Sequence, residues 1–225
     1  MVIIHISGAS GSGKSYLGNK LLELFGNKII VKDIDDLRVD FIKKYYGDNE
    51  WNVIDKDAYQ EYIDKYITEQ KKKEKPLIFV GLNTMPWWHK DLYYNFQPDY
   101  KFYIDIDTKK LIKQKCMRYL TQELKDIIND EIAMNDLMNN NKKFIRLVCQ
   151  GIKRECDIKQ ITDESDKWKN DYESQGYTVL NSDEIYERVV NILNDIVQKG
   201  GKKKRKHTKR NKNVKKVKNT RKNIS

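Results

Sequence analysis

Cysteine is scarce. Cys116, Cys149 and Cys156 are the only three in 225 residues. They form no C-x-x-C pair and leave one unmatched, which speaks against a zinc site or a disulfide framework and for reduced thiols in an intracellular compartment. None has the neighbours of a catalytic cysteine nucleophile. Long apolar runs are missing too. The longest near the start, Val2 to Ser7, is too short for a signal peptide, and nothing approaches a membrane span. An intracellular, cytoplasmic protein is expected. The chain has no internal repeat. From Lys199 to Ser225 acid is absent altogether, against fourteen Lys and Arg.

That last absence relocates the charge. The chain carries a formal +11, yet residues 1–198 hold 30 basic and 33 acidic side chains. All the excess positive charge lies in the tail. The tail is low in complexity and too poor in apolar residues to offset the entropy of ordering, so disorder is expected over 199–225. Clustered Lys and Arg attract nucleic-acid phosphates, anionic membrane surfaces or acidic proteins, and can serve as a nuclear localisation signal. Its composition is similar to basic tails on many proteins of large DNA viruses.

What is present is concentrated near the start. Gly8-Ala9-Ser10-Gly11-Ser12-Gly13-Lys14-Ser15 fits G-x-x-x-x-G-K-[ST] at every fixed position. A β-branched run, Val2 to Ser7, precedes it and reads as a buried parallel strand. Leu17, Leu21, Leu24 and Phe25 follow at helical spacing. Glycines allow a tight turn whose N–H groups converge on phosphate oxygens, and the helix N-terminus adds partial positive charge. Lys14 is expected to reach the β- and γ-phosphates and Ser15 to hold Mg²⁺. The stretch resembles the Walker A motif of P-loop NTPases.

Strands alternate with helices along the rest. Strands are read at 28–32, 77–80, 100–106 and 177–180, and helices from about 35, 56–73, 84, 107, through 168–172, and 182–198. Asp35 or Asp36, Thr84, Asp107 or Thr108, and Ser182 are the expected helix caps. Residues 116–160 read as a helical lid or insert. The pattern predicts an α/β, three-layer P-loop NTPase fold with a five-stranded parallel sheet over 1–198. In such sheets ligands bind at the carboxyl ends of the strands.

Asp33-Ile34-Asp35-Asp36-Leu37-Arg38 stands at the end of the second strand. Kinases acting on hydroxyls need a carboxylate there to take the acceptor's proton and to orient Mg²⁺ or its waters. The arrangement resembles P-loop kinases of small metabolites, nucleosides and nucleotides, such as shikimate-, gluconate- and uridine-kinase-like proteins. Asp-Asp-x-Arg also resembles the polynucleotide 5′-hydroxyl kinase domain. The resemblance implies Asp35 as base and Arg38 as a substrate contact; Asp33, at the strand end, could exchange roles with Asp35 and is expected as a second catalytic carboxylate and a metal ligand. It also implies a lid arginine, with Arg118 first and Arg154 second; Arg146 lies in the same helical region as Arg154. The third strand ends in Val80-Gly81-Leu82-Asn83, without the acid many P-loop enzymes use there, so metal binding shifts to Ser15 with Asp33 or Asp35. Asn83 and Trp87 are expected at the acceptor, with Trp88, Tyr93 and Tyr94 as stacking candidates or packing residues. His5 reads as core and His89 as surface.

The expected activity is transfer of the γ-phosphoryl of Mg-ATP to a hydroxyl or phosphate of a small metabolite, nucleoside or nucleotide. The alternatives are a 5′-kinase of nucleic-acid ends, with the tail supplying affinity, and a non-catalytic ATP-binding module docked on nucleic acid.

Overall fold

Six consecutive buried residues, Ile3–Gly8, form strand β1 at the centre of a sheet. The computed structural model describes residues 1–47, 55–84, 93–128 and 158–197, with backbone alone for 119–120 and 122–128. Met1–Ile185 makes one compact unit. Tyr186–Ser225 is assigned to a second, of which 186–197 are described and are helical.

After β1 come α1 (Lys14–Phe25), β2 (Ile30–Asp33), α2 (Ile34–Tyr46) and α3 (Lys56–Lys71). Then follow β3 (Leu77–Val80), β4 (Tyr100–Ile104), α4 (Thr108–Ile128), α5 (Ile158–Ser174), β5 (Thr178–Leu180) and α6 over 182–197. The five strands form one parallel sheet in the order β2-β3-β1-β4-β5. No helix among the described residues is long and apolar enough to cross a membrane.

Chirality dictates which face each helix takes. The chain steps outward from β1 to β2 and back inward to β3, so right-handed crossovers put α1 on one face and α2–α3 on the other. The packing agrees. A Cβ on Gly18 of α1 would meet Val31 and Val80, each at 3.1 Å, so glycine lets α1 lie close on that face. Phe79, on the opposite face, joins a core of Leu37, Phe41, Tyr59, Ile63 and Ile67 from α2 and α3. Phe41 is fully buried, with ring centroids of Tyr45, Tyr59 and Tyr62 at 4.8, 5.0 and 5.4 Å. Tyr172 of α5 stacks on Tyr103 of β4, on the face that also carries His5. The fold is the three-layer α/β P-loop NTPase architecture expected from the sequence.

Several local expectations shift. β2 runs straight into α2 without a loop, so Asp33, not Asp35 or Asp36, caps the helix, its Oδ1 accepting from Asp35 N at 2.9 Å. Asn181, not Ser182, caps α6. Its Oδ1 accepts from the N–H groups of Asp183 and Glu184 at 3.0 Å, and Glu184 answers by accepting from Asn181 N at 3.3 Å. Asp107 caps α4 as expected. Tyr93, expected on a helix begun by Thr84, instead pairs with Thr84 in an antiparallel bridge. Two strands of chain lie side by side there, with Tyr94 N donating to Asn83 O at 2.7 Å. Trp87, Trp88 and His89 lie outside the described residues, as do Arg146, Arg154, most of the proposed lid and the basic tail. Cys116 is disulfide-bonded, which corrects the expectation of reduced thiols. Cys149 and Cys156 lie outside the described residues.

Candidate phosphate-binding site

The loop after β1 is shaped by its glycines. Gly11 and Gly13 have φ of 87° and 91°, left-handed values that cost other residues dearly. A Cβ on Gly8 would sit 2.6 Å from Ser12 Oγ and 3.1 Å from Ile104 Cβ. Ser12 N donates to Ala9 O at 3.0 Å and closes the turn. Gly13 is the N-cap of α1 and no side chain caps it. The first-turn N–H groups therefore have no intrahelical acceptor, and Gly13, Lys14, Ser15 and Tyr16 line a cleft of about 560 Å³.

Lys14 curls over the loop, its Nζ donating to the carbonyls of Gly8 and Ala9 at 2.8 Å each. Burial pulls its pKa down to about 8, against the opposing pull of Asp35 and Asp33, and with Arg118 and Lys115 lowering it further. An ammonium held in this way gains from any phosphate that replaces the water it has lost.

Across the cleft, Ser15 Oγ donates to Asp33 Oδ2 at 2.8 Å. Asp33 thus caps α2 with one oxygen and faces the loop with the other. Asp35, two residues on, is largely exposed, and its Oδ1 accepts from Arg38 Nη1 at 3.1 Å. Arg38 is nearly buried and is pinned from the other side, with Nη2 donating to Thr84 O at 2.9 Å. Arg118 reaches the same cleft from α4, whose Leu111 and Lys115 pack against Gly11. The structure therefore brings Lys14, Ser15, Asp33, Asp35 and Arg118 together, with Arg38 holding Asp35 from behind.

Asn83 is placed differently from the sequence expectation. It is buried, its Oδ1 accepting from Tyr172 OH at 2.6 Å and its Nδ2 donating to Tyr94 O at 2.9 Å. It lines a separate cavity. Tyr94 is core, its ring 4.7 Å from that of Tyr59. Trp87 lies outside the described residues. Two lining residues went unread in the sequence, Gln114 and Tyr16. Gln114 sits one helical turn before Arg118, and that spacing was the available signal.

The residues fit a magnesium–nucleotide ligand. The loop has no room for side chains at Gly8, and Ser12 Oγ is buried without a partner. No three His, Cys, Asp or Glu side chains gather among the described residues. A magnesium ion would be held by Ser15 and Asp33, with phosphate oxygens and waters completing its shell, as suits that ion.

No family model matches the chain. Nor does any curated protein. Similar solved structures include a tRNA isopentenylpyrophosphate transferase from Staphylococcus epidermidis, at 10% identity and TM-score 0.46, covering 86% of this chain and 99% of that one. An uncharacterized protein from Eubacterium ventriosum matches at 13% identity and TM-score 0.44, with coverage of 86% and 99%. Shikimate kinase from Acinetobacter baumannii, in complex with shikimate, matches at 10% identity and TM-score 0.39, with coverage of 87% and 94%. The strand order β2-β3-β1-β4-β5 and the glycine loop after β1 define the fold.

Proposed function

We propose that this protein is a P-loop phosphotransferase that moves the γ-phosphoryl of Mg-ATP to a hydroxyl, or a phosphate, of a small metabolite, nucleoside or nucleotide. One observation carries the reading. A glycine loop with its lysine faces two carboxylates across one cleft, and the outer carboxylate is held by an arginine.

The roles follow from position. The loop N–H groups and Lys14 bind the phosphates. Ser15 and Asp33 would hold a magnesium ion, which would supply charge neutralisation on the phosphates. Asp35 takes the proton of the attacking hydroxyl as its oxygen bonds to the γ-phosphorus. The bond from phosphorus to the bridging oxygen breaks, and ADP leaves. Lys14 and Arg118 hold the negative charge on the migrating group. Arg38 fixes the direction of Asp35.

The test offers γ-labelled ATP with nucleosides, nucleotides, sugars and 5′-hydroxyl oligonucleotides. Label should pass to one of these acceptors. Asp35→Asn should slow transfer by about 10²–10⁴-fold, the usual contribution of a general base, with ATP binding kept. Label passing to oligonucleotides alone, and lost on deleting 199–225, would favour the nucleic-acid-end kinase instead. ATP binding with no acceptor ever labelled would leave a binding module.

A further inference from the structure

The first half of α4 carries charge of one sign. From Thr108 to Arg118 it holds Lys109, Lys110, Lys113, Lys115 and Arg118 and no acid. That is the wrong sign for a helix N-terminus, whose partial positive charge favours carboxylates. Like charges at Lys109 and Lys113, four residues apart, also repel. Asp107, the cap, spends its Oδ1 on the Lys110 N–H at 3.0 Å. Among the described residues no carboxylate forms an ion pair with Lys109, Lys110, Lys113 or Arg118. These cations therefore cost the helix something and gain nothing from the fold.

Their placement is ordered. Side chains four residues apart lie along one ridge of a helix. Lys110, Gln114 and Arg118 make one ridge, and Gln114 and Arg118 line the phosphate cleft. Lys109, Lys113 and Met117 make the next, all three exposed. A cationic strip about 13 Å long thus runs from the start of α4 into the cleft. On the same cleft stands Tyr16, in the first turn of α1 and 67% exposed. Lys20 Nζ lies 5.8 Å from its ring centre. A cationic strip beside an open aromatic ring is how single strands are held, phosphates on the cations and a base on the ring. A membrane surface would call for a broad apolar face beside the lysines, and Met117 is the one apolar side chain on the two ridges. An acidic peptide would leave the ring idle.

We infer that the exposed face of α4 and Tyr16 form a docking surface for single-stranded nucleic acid. The backbone follows Lys109, Lys110 and Lys113 toward the cleft, and a base stacks on Tyr16. The inference does not rest on the transfer activity proposed above. It puts binding on the folded unit, whatever residues 199–225 add.

The test is fluorescence anisotropy of a short labelled oligothymidylate titrated with the full chain. Binding should be saturable. Lys109→Gln, Lys110→Gln and Lys113→Gln together should weaken it about tenfold or more at about 0.1 M salt. The log–log salt slope should become shallower by about 2, as three lost phosphate contacts require. The same variant should unfold no earlier than wild type, since the lysines oppose the helix dipole. Tyr16→Ala should weaken binding about fivefold or more with the slope unchanged, and Tyr16→Phe should keep it. Lys14→Met should still bind, which separates docking from capture of a phosphate by the glycine loop. The proposal is overturned if the triple variant binds as tightly as wild type, which would leave binding to 199–225, or if it unfolds early, which would make the lysines structural. It is also overturned if Tyr16→Ala binds as wild type, if Lys14→Met abolishes binding, or if polyglutamate or anionic vesicles bind as well as the oligonucleotide.

Discussion

Two neighbouring regions treat their polar groups in opposite ways. In the phosphate cleft, polar groups are left half-engaged. Lys14 rests on two carbonyls, Ser12 Oγ has no partner, and Asp35 is largely exposed. Beneath the sheet, one set of polar groups is sealed in and paired. Asn83, Tyr172, His5 and Tyr177 form short hydrogen bonds at 2.6 to 3.2 Å. Buried pairing stabilises and fixes. Groups held near, but not fully committed to, protein partners are free to exchange them for a ligand. The residues 81 to 83 supply both regions, so the difference lies in burial, not in distance along the chain.

The sharpest break in that contrast is Lys14→Met. It should cost about 10²–10³-fold in phosphoryl transfer, the loss expected when one preorganised donor is removed. The fold should become no less stable, because a desolvated ammonium is removed. Its lowered pKa, about 8, adds a second reading. Transfer at low nucleotide concentration should fall as pH rises through about 8, since the neutral amine holds no phosphate. A flat profile between pH 7 and 9 would mean that Lys14 is not the phosphate contact.

Gly81→Ala strikes the hinge between the regions. Gly81 has φ of 136°, and a Cβ there would lie 2.9 Å from Ile34 Cβ, the residue after Asp33. Backbone strain and overpacking together should cost about 3–5 kcal/mol, read as a lowered urea midpoint. A variant as stable as wild type would show that β3 and α2 are less closely set than drawn here.

His5 tests the sealed side by pH. Burial, first of all, holds its pKa down to about 4, with Lys101 and Lys14 adding to it and the Gly81 bond opposing. The unfolded chain takes up this proton below about 6.5 and the folded chain does not until about 4. The stability is therefore present above pH 6.5 and is lost as pH falls toward 4, by about 3 kcal/mol. Carboxylates titrate in the same range, so the comparison is with His5→Gln. Its stability should fall less steeply between pH 6.5 and 4.5. Equal slopes would mean that His5 is protonated in the fold.

How much of this was legible in the sequence also divides along the same line. The phosphate loop, the strand–helix alternation and the Asp33–Arg38 cluster could be read because each is local. A motif, a period or a cap speaks through adjacent residues. The sealed region could not be read that way. Asn83 and Tyr172 are 89 residues apart, and His5 and Tyr177 are 172 apart. Asn83 read as a substrate contact because it follows a strand end, where ligands gather. Only the arrival of α5 shows that its amide is already used. The cap of α2 fell to Asp33 because the absence of a loop after β2 could not be seen.

The smallest effect is the most discriminating. Tyr172→Phe keeps the ring, which packs edge-on against Tyr177 and Tyr93 and tilted on Tyr103, with ring centres 4.8 to 5.8 Å apart. It removes only the hydroxyl, which donates to Asn83 Oδ1 at 2.6 Å and accepts from Asn83 N at 3.2 Å. Two buried groups of Asn83 lose their partner, and the cost should be about 1–3 kcal/mol. Because neither residue lines the phosphate cleft, transfer should stay within about twofold of wild type under conditions where the protein is folded. If transfer falls a hundredfold instead while the urea midpoint barely moves, the sealed region is not mere support. The Asn83–Tyr172 pair would then set the position of Gly81 and Leu82 in the cleft, and the two regions would have to be treated as one machine.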